Sequence, residues 1–390
     1  MFIVCELIAW GMEHTPFNAA LLKTISAAFP NDVVYFYAES THLEYVREQI
    51  GGESGASVVW RKLVLPPRHS NFYTRLHSDF QAIKFLLNEL NENSNKAVLV
   101  TTANASILWA LKYYVRNIHK DKKVQAIIHG DFSTLHRTPR RSLLNPFYYA
   151  GSLKTALKIS GYERLQHIVL EESIRDAILK QMPFLQNSIG VFEHPIPVDG
   201  YRIAIKDFCP PIQFGFLGLA SEQKGFSEYL AVASEISKRF SGQVKFHLIG
   251  RISDKKKRAN HSKIAFLSDT PSTERLSRIE YVNRLKHLHF VCLFFNEYYE
   301  CCASGVLMDS IAWGKPIIAS ELSIFKTIQK KFGDIGYLCR NREFSQAISS
   351  IIQKNDPHRY KHQVDNMNRA KISRTPETLA AKYIELVSCL

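Results

Sequence analysis

The chain has 390 residues, and at roughly 100 to 200 residues per domain this length predicts two domains with a cleft between them. Hydrophobic residues make up 46% and charged residues 22% of the chain, a composition that excludes disordered and fibrous proteins. The formal net charge of +14 favours acidic partners, but no nucleic-acid-binding motif accompanies it, so we expect no nucleic-acid partner.

Hydrophobic patterning predicts a cytoplasmic protein. No stretch reaches the ~20 apolar residues of a membrane helix, and the best candidate, Ala97 to Val115, contains several polar residues. The N-terminal sequence MFIVCELIAW lacks a basic leader and contains Glu6, so we interpret it as a buried strand and not as a secretion signal. The seven cysteines include no C-x-x-C pair, which argues against a zinc site and against a disulfide framework.

Short β-branched or aromatic runs alternate with helical patterns through the first half of the chain. The predicted strands are Phe2 to Ile8, Val33 to Tyr37, Val58 to Leu63, Ala97 to Thr101, Val124 to Ile128, His167 to Leu170 and Ile189 to Phe192. Helical patterns separate them, for example Phe17 to Phe29 and Tyr73 to Asn91. This alternation predicts a parallel sheet covered by helices on both faces.

A proline-rich stretch from Glu193 to Pro211 predicts a linker, after which the alternation restarts. The predicted strands of the second half are Ile212 to Leu217, Val244 to Ile249, Ile264 to Leu267, Phe290 to Phe295, Pro316 to Ala319 and Gly336 to Cys339. The sequence therefore predicts an α/β fold of two doubly wound, Rossmann-like domains facing a cleft, over residues 1–205 and 206–370. A helix at 371–390 either caps the second domain or crosses back to the first.

Two segments of the second half carry candidate anion-binding residues at the carboxyl ends of strands, where open parallel sheets bind ligands. In FGFLGLASEQKGF, Gly218 allows a phosphate to approach the backbone and Lys224 offers it a charge; alone, such a pair is more often incidental. In CLFFNEYYECCASGVLMDSIAWGKPIIAS, Ser304 and Gly305 begin a helix, and the first amides, including that of Val306, are open to a diphosphate.

The carboxylate of Asp309 follows one turn after this helix start, where it is placed to accept hydrogen bonds from ribose hydroxyls. An ordinary helix start with a solvated aspartate is the alternative.

Together the two segments resemble the family-4 retaining glycosyltransferases of the GT-B fold. The donor domain of that family begins strand-G-R-L-x-x-x-K-G and later shows E-x7-E before a helix and G-K-P-V-I. Gly218 and Lys224 occupy the family's glycine and lysine positions, and Asp309 with GKPII occupies the second acidic position.

The chain departs from the family pattern at two positions. Leu219 replaces the arginine that follows the glycine, and Cys301 occupies the first acidic position, with Glu300 one residue earlier. The resemblance implies that Glu300 contacts the transferred sugar as a catalytic residue. Arg251 is a candidate nucleotide contact that replaces the missing arginine, together with the basic run Lys255 to Arg258; a solvated loop is the alternative.

The resemblance also implies roles for two residues of the first half. Gly11, in the loop after the first strand, would approach the donor diphosphate, and His129, after the fifth strand, would contact the sugar. A structural histidine at a strand end is the alternative for His129.

The implied reaction moves a sugar from a nucleotide-diphosphate sugar to a hydroxyl of a glycan or lipid-linked acceptor. The resemblance implies that the transfer is retaining, needs neither metal nor cofactor, and belongs to cell-surface polysaccharide synthesis. Two alternatives stay open: a non-catalytic relative that binds nucleotide sugar or lipid, and a sugar-nucleotide epimerase.

Basic charge is concentrated in one segment of the first half: Lys112 to Arg164 contains eleven Lys and Arg against three Asp and Glu. Within it, Arg137, Arg140 and Arg141 precede large apolar residues such as Phe147. Cations beside apolar side chains suit anionic lipid headgroups. Our hypothesis is that this segment docks the protein peripherally on the inner face of the membrane; the alternative is a helix packed on the sheet with a charged outer face.

Overall fold

The computed structural model describes residues 2–51, 58–67, 70–89, 97–119, 123–129, 151–158, 164–197, 206–340 and 343–388. The chain forms two compact units. Unit 1 comprises Met1–Val198, Cys301–Ala303 and Arg374–Leu390, and unit 2 comprises Asp199–Glu300 and Ser304–Ser373. The proposed membrane-docking residues Arg137, Arg140, Arg141 and Phe147 lie outside the described residues. Within the described ranges, no helix is long and apolar enough to cross a bilayer.

Unit 1 contains a seven-stranded parallel sheet, which confirms every strand predicted for the first half. The strands are β1 Phe2–Cys5, β2 Val34–Ala38, β3 Val58–Lys62, β4 Val98–Val100, β5 Val124–Ile127, β6 Leu165–Val169 and β7 Ile189–Val191. Their spatial order is β3-β2-β1-β4-β5-β6-β7. The chain order reverses between β1 and β4, and ligands of open α/β sheets bind beyond the carboxyl ends of strands at such a reversal.

Helices cover both faces of this sheet. They are α1 Thr15–Ala28, α2 Ser40–Ile50, α3 Phe72–Asn88, α4 Ala105–Asn117, α5 Leu153–Lys158 and α6 Glu172–Gln181. Alternate residues of β1 enter different cores, as the two-residue period of a strand requires. Ile3 and Cys5 pack in the core formed with α3 and α4, whereas Phe2 and Val4 pack in the core formed with α1 and α2.

Unit 2 is built on a five-stranded parallel sheet. Its strands are β8 Ile212–Leu219, β9 Val244–Arg251, β10 Phe290–Leu293, β11 Ile317–Ser320 and β12 Gly336–Cys339, in the order β12-β11-β10-β8-β9. Its helices are α7 Phe226–Arg239, α8 Asp254–Ala259, α9 His261–Ile264, α10 Arg278–Lys286, α11 Gly305–Ala312, α12 Ser323–Phe332, α13 Phe344–Lys354 and α14 Pro357–Ile372. Here the chain order reverses between β8 and β10, which predicts a second ligand site.

One predicted strand, Ile264 to Leu267, is wrong. Ile264 ends α9, and Leu267 makes only an isolated bridge to Phe246. Of the four residues only Leu267 is buried, and a short apolar run does not by itself distinguish a strand from the end of a helix. The basic run Lys255 to Arg258 forms part of α8 and not a loop, although Lys255 and Arg258 are exposed. Its contact with a nucleotide stays a prediction.

The last helix, α15 Pro376–Ser388, belongs to unit 1. Just before it, the Arg374 guanidinium donates two hydrogen bonds to the Glu171 carboxylate, at 2.6 and 3.0 Å, and the two side chains are 3% and 6% exposed. The Tyr383 hydroxyl of α15 donates to the Gln125 side chain of β5 at 3.1 Å. A buried ion pair and a buried hydrogen bond thus hold this helix to the sheet of unit 1.

Candidate functional site

At the carboxyl end of β8, Gly218 brings the Lys224 ammonium close to the backbone. Gly218 has a φ of +80°, which side chains rarely adopt. A β-carbon at this position would lie 3.3 Å from Lys224 Nζ and 3.3 Å from Val306 Cγ1. The structure therefore brings together three of the predicted diphosphate-binding residues, and the positive φ together with these close contacts favours glycine at position 218.

Lys224 is a half-buried cation. It ends the short 3-10 helix Glu222–Lys224, and no hydrogen-bond acceptor for its ammonium is found in the described part of the chain. Burial lowers the pKa of Lys224 to about 8, although the charge of Asp309 opposes this shift. Because an ammonium removed from water without an acceptor is costly, this arrangement favours an anionic ligand.

The N-terminus of α11 offers backbone donors in the same unit. Ser304 is the buried N-cap, and its hydroxyl accepts the Leu307 amide at 3.3 Å. The amides of Gly305 and Val306 precede the first intrahelical hydrogen bond and therefore have no acceptor within the helix. Gly305 is exposed, and apart from its chain neighbours and the backbone of its own helix no atom of the described residues lies within 4 Å of its ideal Cβ position. The predicted helix start is confirmed, and there is space beside it.

The carboxylate of Asp309 is held by α10. Its Oδ1 accepts a hydrogen bond from Arg278 Nη2 at 2.8 Å, and its Oδ2 accepts one from the Tyr281 hydroxyl at 2.9 Å. Burial and the neighbouring carboxylate raise the pKa of Tyr281 well above its ordinary value. Each carboxylate oxygen can accept a further bond, so a contact to ribose stays a prediction. Arg278 and Tyr281 belong to an ordinary helix outside both motifs, so no sequence signal marks them as neighbours of Asp309.

Glu300 caps another helix. Its carboxylate accepts the Ser323 amide at 3.2 Å and also the Ser323 hydroxyl, at the start of α12, where negative charge is favourable. Cys301, at the family's first acidic position, is buried in an apolar core of unit 1. The catalytic role implied for Glu300 stays a prediction, but its carboxylate already has a structural task.

Arg251 lies at the same end of the sheet as Gly218. It is the last residue of β9, it is exposed, and it pairs in register with Leu219 of β8. A cation therefore stands one strand away from the position where the family has its arginine. Its contact with a nucleotide stays a prediction.

In unit 1, a fully buried carboxylate, Glu6, follows β1. Its Oε1 accepts the amides of Ile8 and Ala9 at 2.8 and 2.9 Å. Its Oε2 accepts the hydroxyls of Thr101 and Thr102, which follow β4, at 2.9 and 2.8 Å. These bonds turn the chain after Cys5, so β1 ends earlier than the predicted Ile8. Although burial raises the pKa of Glu6, nearby histidines and these amides outweigh it, and the net pKa is lowered.

The same network reaches the loop that contains Gly11. Asn18 Nδ2 lies 3.3 Å from Glu6 Oε2 and 2.8 Å from His42 Nε2, and His42 Nδ1 lies 2.8 Å from the Gly11 carbonyl oxygen. The side-chain amide of Asn18 donates to both Glu6 and His42 when His42 carries its proton on Nδ1. The Nδ1 proton of His42 is then donated to the Gly11 carbonyl oxygen. Burial lowers the pKa of His42, in agreement with a neutral ring. Gly11 is therefore positioned by a chain of hydrogen bonds that begins at Glu6.

His129 lies beside two further histidines. Its ring stacks on that of His14 with centroids 4.4 Å apart, and the ring of His194 meets it edge-on at 5.5 Å. Phe17 packs edge-on against it at 4.6 Å. Burial and the two neighbouring imidazoles lower the pKa of His129 well below its ordinary value, so the ring is neutral near pH 7. Its predicted contact with a sugar stays a prediction.

Comparison with solved structures identifies the fold. The structure of HepE from Anabaena in complex with UDP and glucose matches with a TM-score of 0.66 and 14% identity, over 100% of both chains. The apo lipopolysaccharide outer core galactosyltransferase WaaB matches with 0.66 and 14%, also over 100% of both chains. The sucrose-phosphate synthase of Thermosynechococcus elongatus matches with 0.67 and 12%, over 99% of this chain and 98% of that chain.

The chain therefore has the GT-B fold of nucleotide-sugar glycosyltransferases, as the sequence resemblance predicts. No protein-family model matches the chain, and no curated protein matches its sequence. At identities of 10–14%, the similarity shows the fold alone, and the activity is argued from the residues of the site.

Proposed function

We propose that this protein is a glycosyltransferase that uses a nucleotide-diphosphate sugar as donor, with the diphosphate bound in unit 2. The observation that carries the proposal is Lys224, a half-buried ammonium without an acceptor in the described part of the chain. It packs against Gly218, whose positive φ favours glycine. The open amides at the start of α11 supply further donors. Both features lie beyond the carboxyl ends of parallel strands, and structures of the same fold contain UDP and glucose.

In the proposed reaction, the bond between the sugar's anomeric carbon and the diphosphate breaks while the acceptor hydroxyl oxygen bonds to that carbon. The hydroxyl proton passes to the departing phosphate. Negative charge develops on the leaving diphosphate, and preorganised donors such as Lys224 and the α11 amides stabilise such charge. We further propose that the transfer retains the anomeric configuration and needs no metal. Activity that survives EDTA and a product of the donor's configuration would support these points.

The acceptor is proposed to be a hydroxyl of a glycan or of a lipid-linked sugar, in cell-surface polysaccharide synthesis. Peripheral docking on the inner membrane face through Arg137, Arg140, Arg141 and Phe147 stays part of this proposal. A flotation assay with anionic vesicles tests it. We expect the wild-type protein to float with the vesicles and the variant carrying Arg140→Glu and Arg141→Glu to stay in solution; equal behaviour of the two proteins would contradict the docking.

Ligand-induced thermal shifts test donor binding directly. The ligands are UDP, GDP and ADP and their glucose or mannose derivatives, each compared with the wild-type protein alone. A ligand at about one hundred times its Kd stabilises the folded state by about 2.7 kcal/mol. We expect one nucleotide class to produce such a shift, and Lys224→Ala to remove most of it. The matched control is Lys326→Ala, which removes an exposed lysine of α12 that pairs with Glu321. A shift that survives Lys224→Ala would remove Lys224 from the site.

A non-catalytic protein that binds nucleotide sugar is the second candidate, because Glu300 caps α12 and Cys301 is buried in an apolar core. The two candidates differ in turnover. Radiolabelled donor incubated with the protein and a mixture of glycan and lipid-linked acceptors would give a labelled product only if the protein is a transferase. Saturable nucleotide-sugar binding without product or hydrolysis would favour the second candidate.

A further inference from the structure

The ligand-binding position predicted for unit 1, between β1 and β4, contains a network whose outermost member is His14. Glu6 follows β1, Thr102 follows β4, and the Thr102 hydroxyl lies 2.8 Å from Glu6 Oε2. His14 Nδ1 lies 3.4 Å from the same hydroxyl oxygen. Carboxylate, hydroxyl and imidazole thus follow one another from the buried interior outwards. His14 lies in the same loop after β1 as Gly11, and the family resemblance gives Glu6, Thr102 and His14 no individual role in the reaction.

The donors and acceptors of this row fix where the protons lie. The pKa of Glu6 is lowered, so its ionised carboxylate only accepts hydrogen bonds. Thr102 has one hydroxyl proton, and it is donated to Glu6. The oxygen of Thr102 can therefore only accept from His14, which requires the imidazole proton to be on Nδ1. In the neutral ring, Nε2 then carries the lone pair, and within the described residues nothing donates to it.

The backbone and the ring of His14 are both held in place. His14 is the N-cap of α1 and has φ 53° and ψ 10°, a left-handed conformation. Only one other described residue that is not glycine, Asn355, has a positive φ. Such conformations are unfavourable for residues with a side chain and occur preferentially at functional sites. On one face, the His14 ring stacks on His129 at an interplanar angle of 8°.

We propose that His14 is a catalytic residue whose Nε2 accepts a hydrogen bond from a hydroxyl of the bound sugar or acceptor, and that Glu6 and Thr102 are positioning residues that fix its tautomer. The first part of this inference rests on the proposed glycosyl transfer. The second part is a property of unit 1 alone. The charged or titratable groups that face His14 are Glu6, His42 and His129. A change in the charge of any of the three would alter the pH dependence of His14.

The tautomer is tested without substrate by nitrogen-15 NMR of labelled histidine side chains in the full-length protein, with His14→Asn used to assign the resonance. At neutral pH we expect His14 to carry its proton on Nδ1 in the wild-type protein. Thr102→Val removes the acceptor and keeps the side-chain shape, so it should populate the other tautomer, whereas Thr102→Ser should behave as wild type. A wild-type His14 ring protonated on Nε2 alone would overturn the proposal that Glu6 and Thr102 fix its tautomer.

The contact with substrate is tested by kinetics with the donor found in the thermal-shift panel and its acceptor. His14→Gly removes the imidazole and also relieves the positive φ, so the fold should be retained and the melting temperature should not fall. We expect kcat to fall by about 10²-fold or more, with the Kd for the nucleoside diphosphate unchanged. Asn355→Gly is the matched control, because it relieves the same backbone conformation at the C-cap of α13 and should leave kcat unchanged.

The outcomes separate this inference from the proposed function. Wild-type kcat in His14→Gly would overturn the contact while leaving glycosyl transfer intact. A parallel fall of kcat and melting temperature in His14→Gly would show a structural role and also overturn it. A wild-type protein that binds no nucleotide and transfers no sugar would overturn both the proposed function and the contact of His14 with substrate. The NMR result would still decide whether Glu6 and Thr102 fix the tautomer of His14.

Discussion

Replacing Lys224 by methionine should make the ligand-free protein more stable. The pKa of Lys224 is lowered from 10.5 to about 8 by burial, and one pKa unit corresponds to 1.36 kcal/mol. The charged side chain therefore destabilises the folded state by at most about 3 kcal/mol below pH 8. Solvent relaxation around a half-buried group reduces this figure, so we expect Lys224→Met to gain about 1–2 kcal/mol.

The gain should depend on pH in a defined direction. Between pH 8 and 10.5 the unfolded chain retains the Lys224 proton and the folded chain has lost it. The stability of the wild-type protein therefore rises with pH in this window, and the advantage of the methionine variant shrinks. Chemical denaturation of both proteins at about pH 6 and about pH 10 measures the change.

Lys315 provides the matched control for this prediction. Burial also lowers the pKa of Lys315 to about 8, but its ammonium donates to the carbonyl oxygens of Lys286 and Leu288, both at 2.8 Å. Lys315→Met leaves these acceptors unpaired and should destabilise by about 1–3 kcal/mol. If Lys224→Met also destabilised at about pH 6, Lys224 would have a favourable partner in the ligand-free protein, and the reasoning that makes it an anion site would be refuted.

Three further predictions concern the same site and the last helix. Affinity for the nucleoside diphosphate, measured by calorimetry, should fall as pH rises through about 8, because Lys224 loses its proton there; a constant affinity from about pH 6 to 9 would contradict this. Gly218→Ala should cost about 1–2 kcal/mol of stability because of the positive φ, and it should also weaken nucleotide binding by displacing Lys224. Gly242 has a positive φ too but open space around it, so Gly242→Ala should lower stability without changing nucleotide binding. Arg374→Met should destabilise by about 3–5 kcal/mol, since it leaves the Glu171 carboxylate buried and unpaired; the double variant with Glu171→Leu should recover most of that loss in a denaturation experiment.

Sequence patterns predicted the sheets because strands buried on both faces are written as continuous apolar runs, as in β8 and β10. They predicted that Gly218 and Lys224 follow a strand and that Ser304 begins a helix, because a strand end and a helix start are local features of the chain. They did not predict that Arg278 and Tyr281 bind Asp309, because these residues meet only after α10 packs beside α11. For the same reason they did not predict that the Glu300 carboxylate accepts hydrogen bonds from Ser323 at the start of α12; its contact with the sugar stays a prediction.

The two sheets each have a charged side chain at the reversal of strand order, and the difference between the two indicates different tasks. Glu6 is fully buried and accepts hydrogen bonds from two amides, two hydroxyls and one side-chain amide. A carboxylate with that many donors has little capacity left for a ligand, so its task is to hold the loop that carries Gly11 and His14. Lys224 has no acceptor among the described residues, and its charge is costly until an anion arrives. A charge whose hydrogen bonds are all made within the protein positions its neighbours, whereas a charge without such partners can bind a ligand. Substitutions at Glu6 should therefore disturb the unit 1 loop, and substitutions at Lys224 should weaken ligand binding.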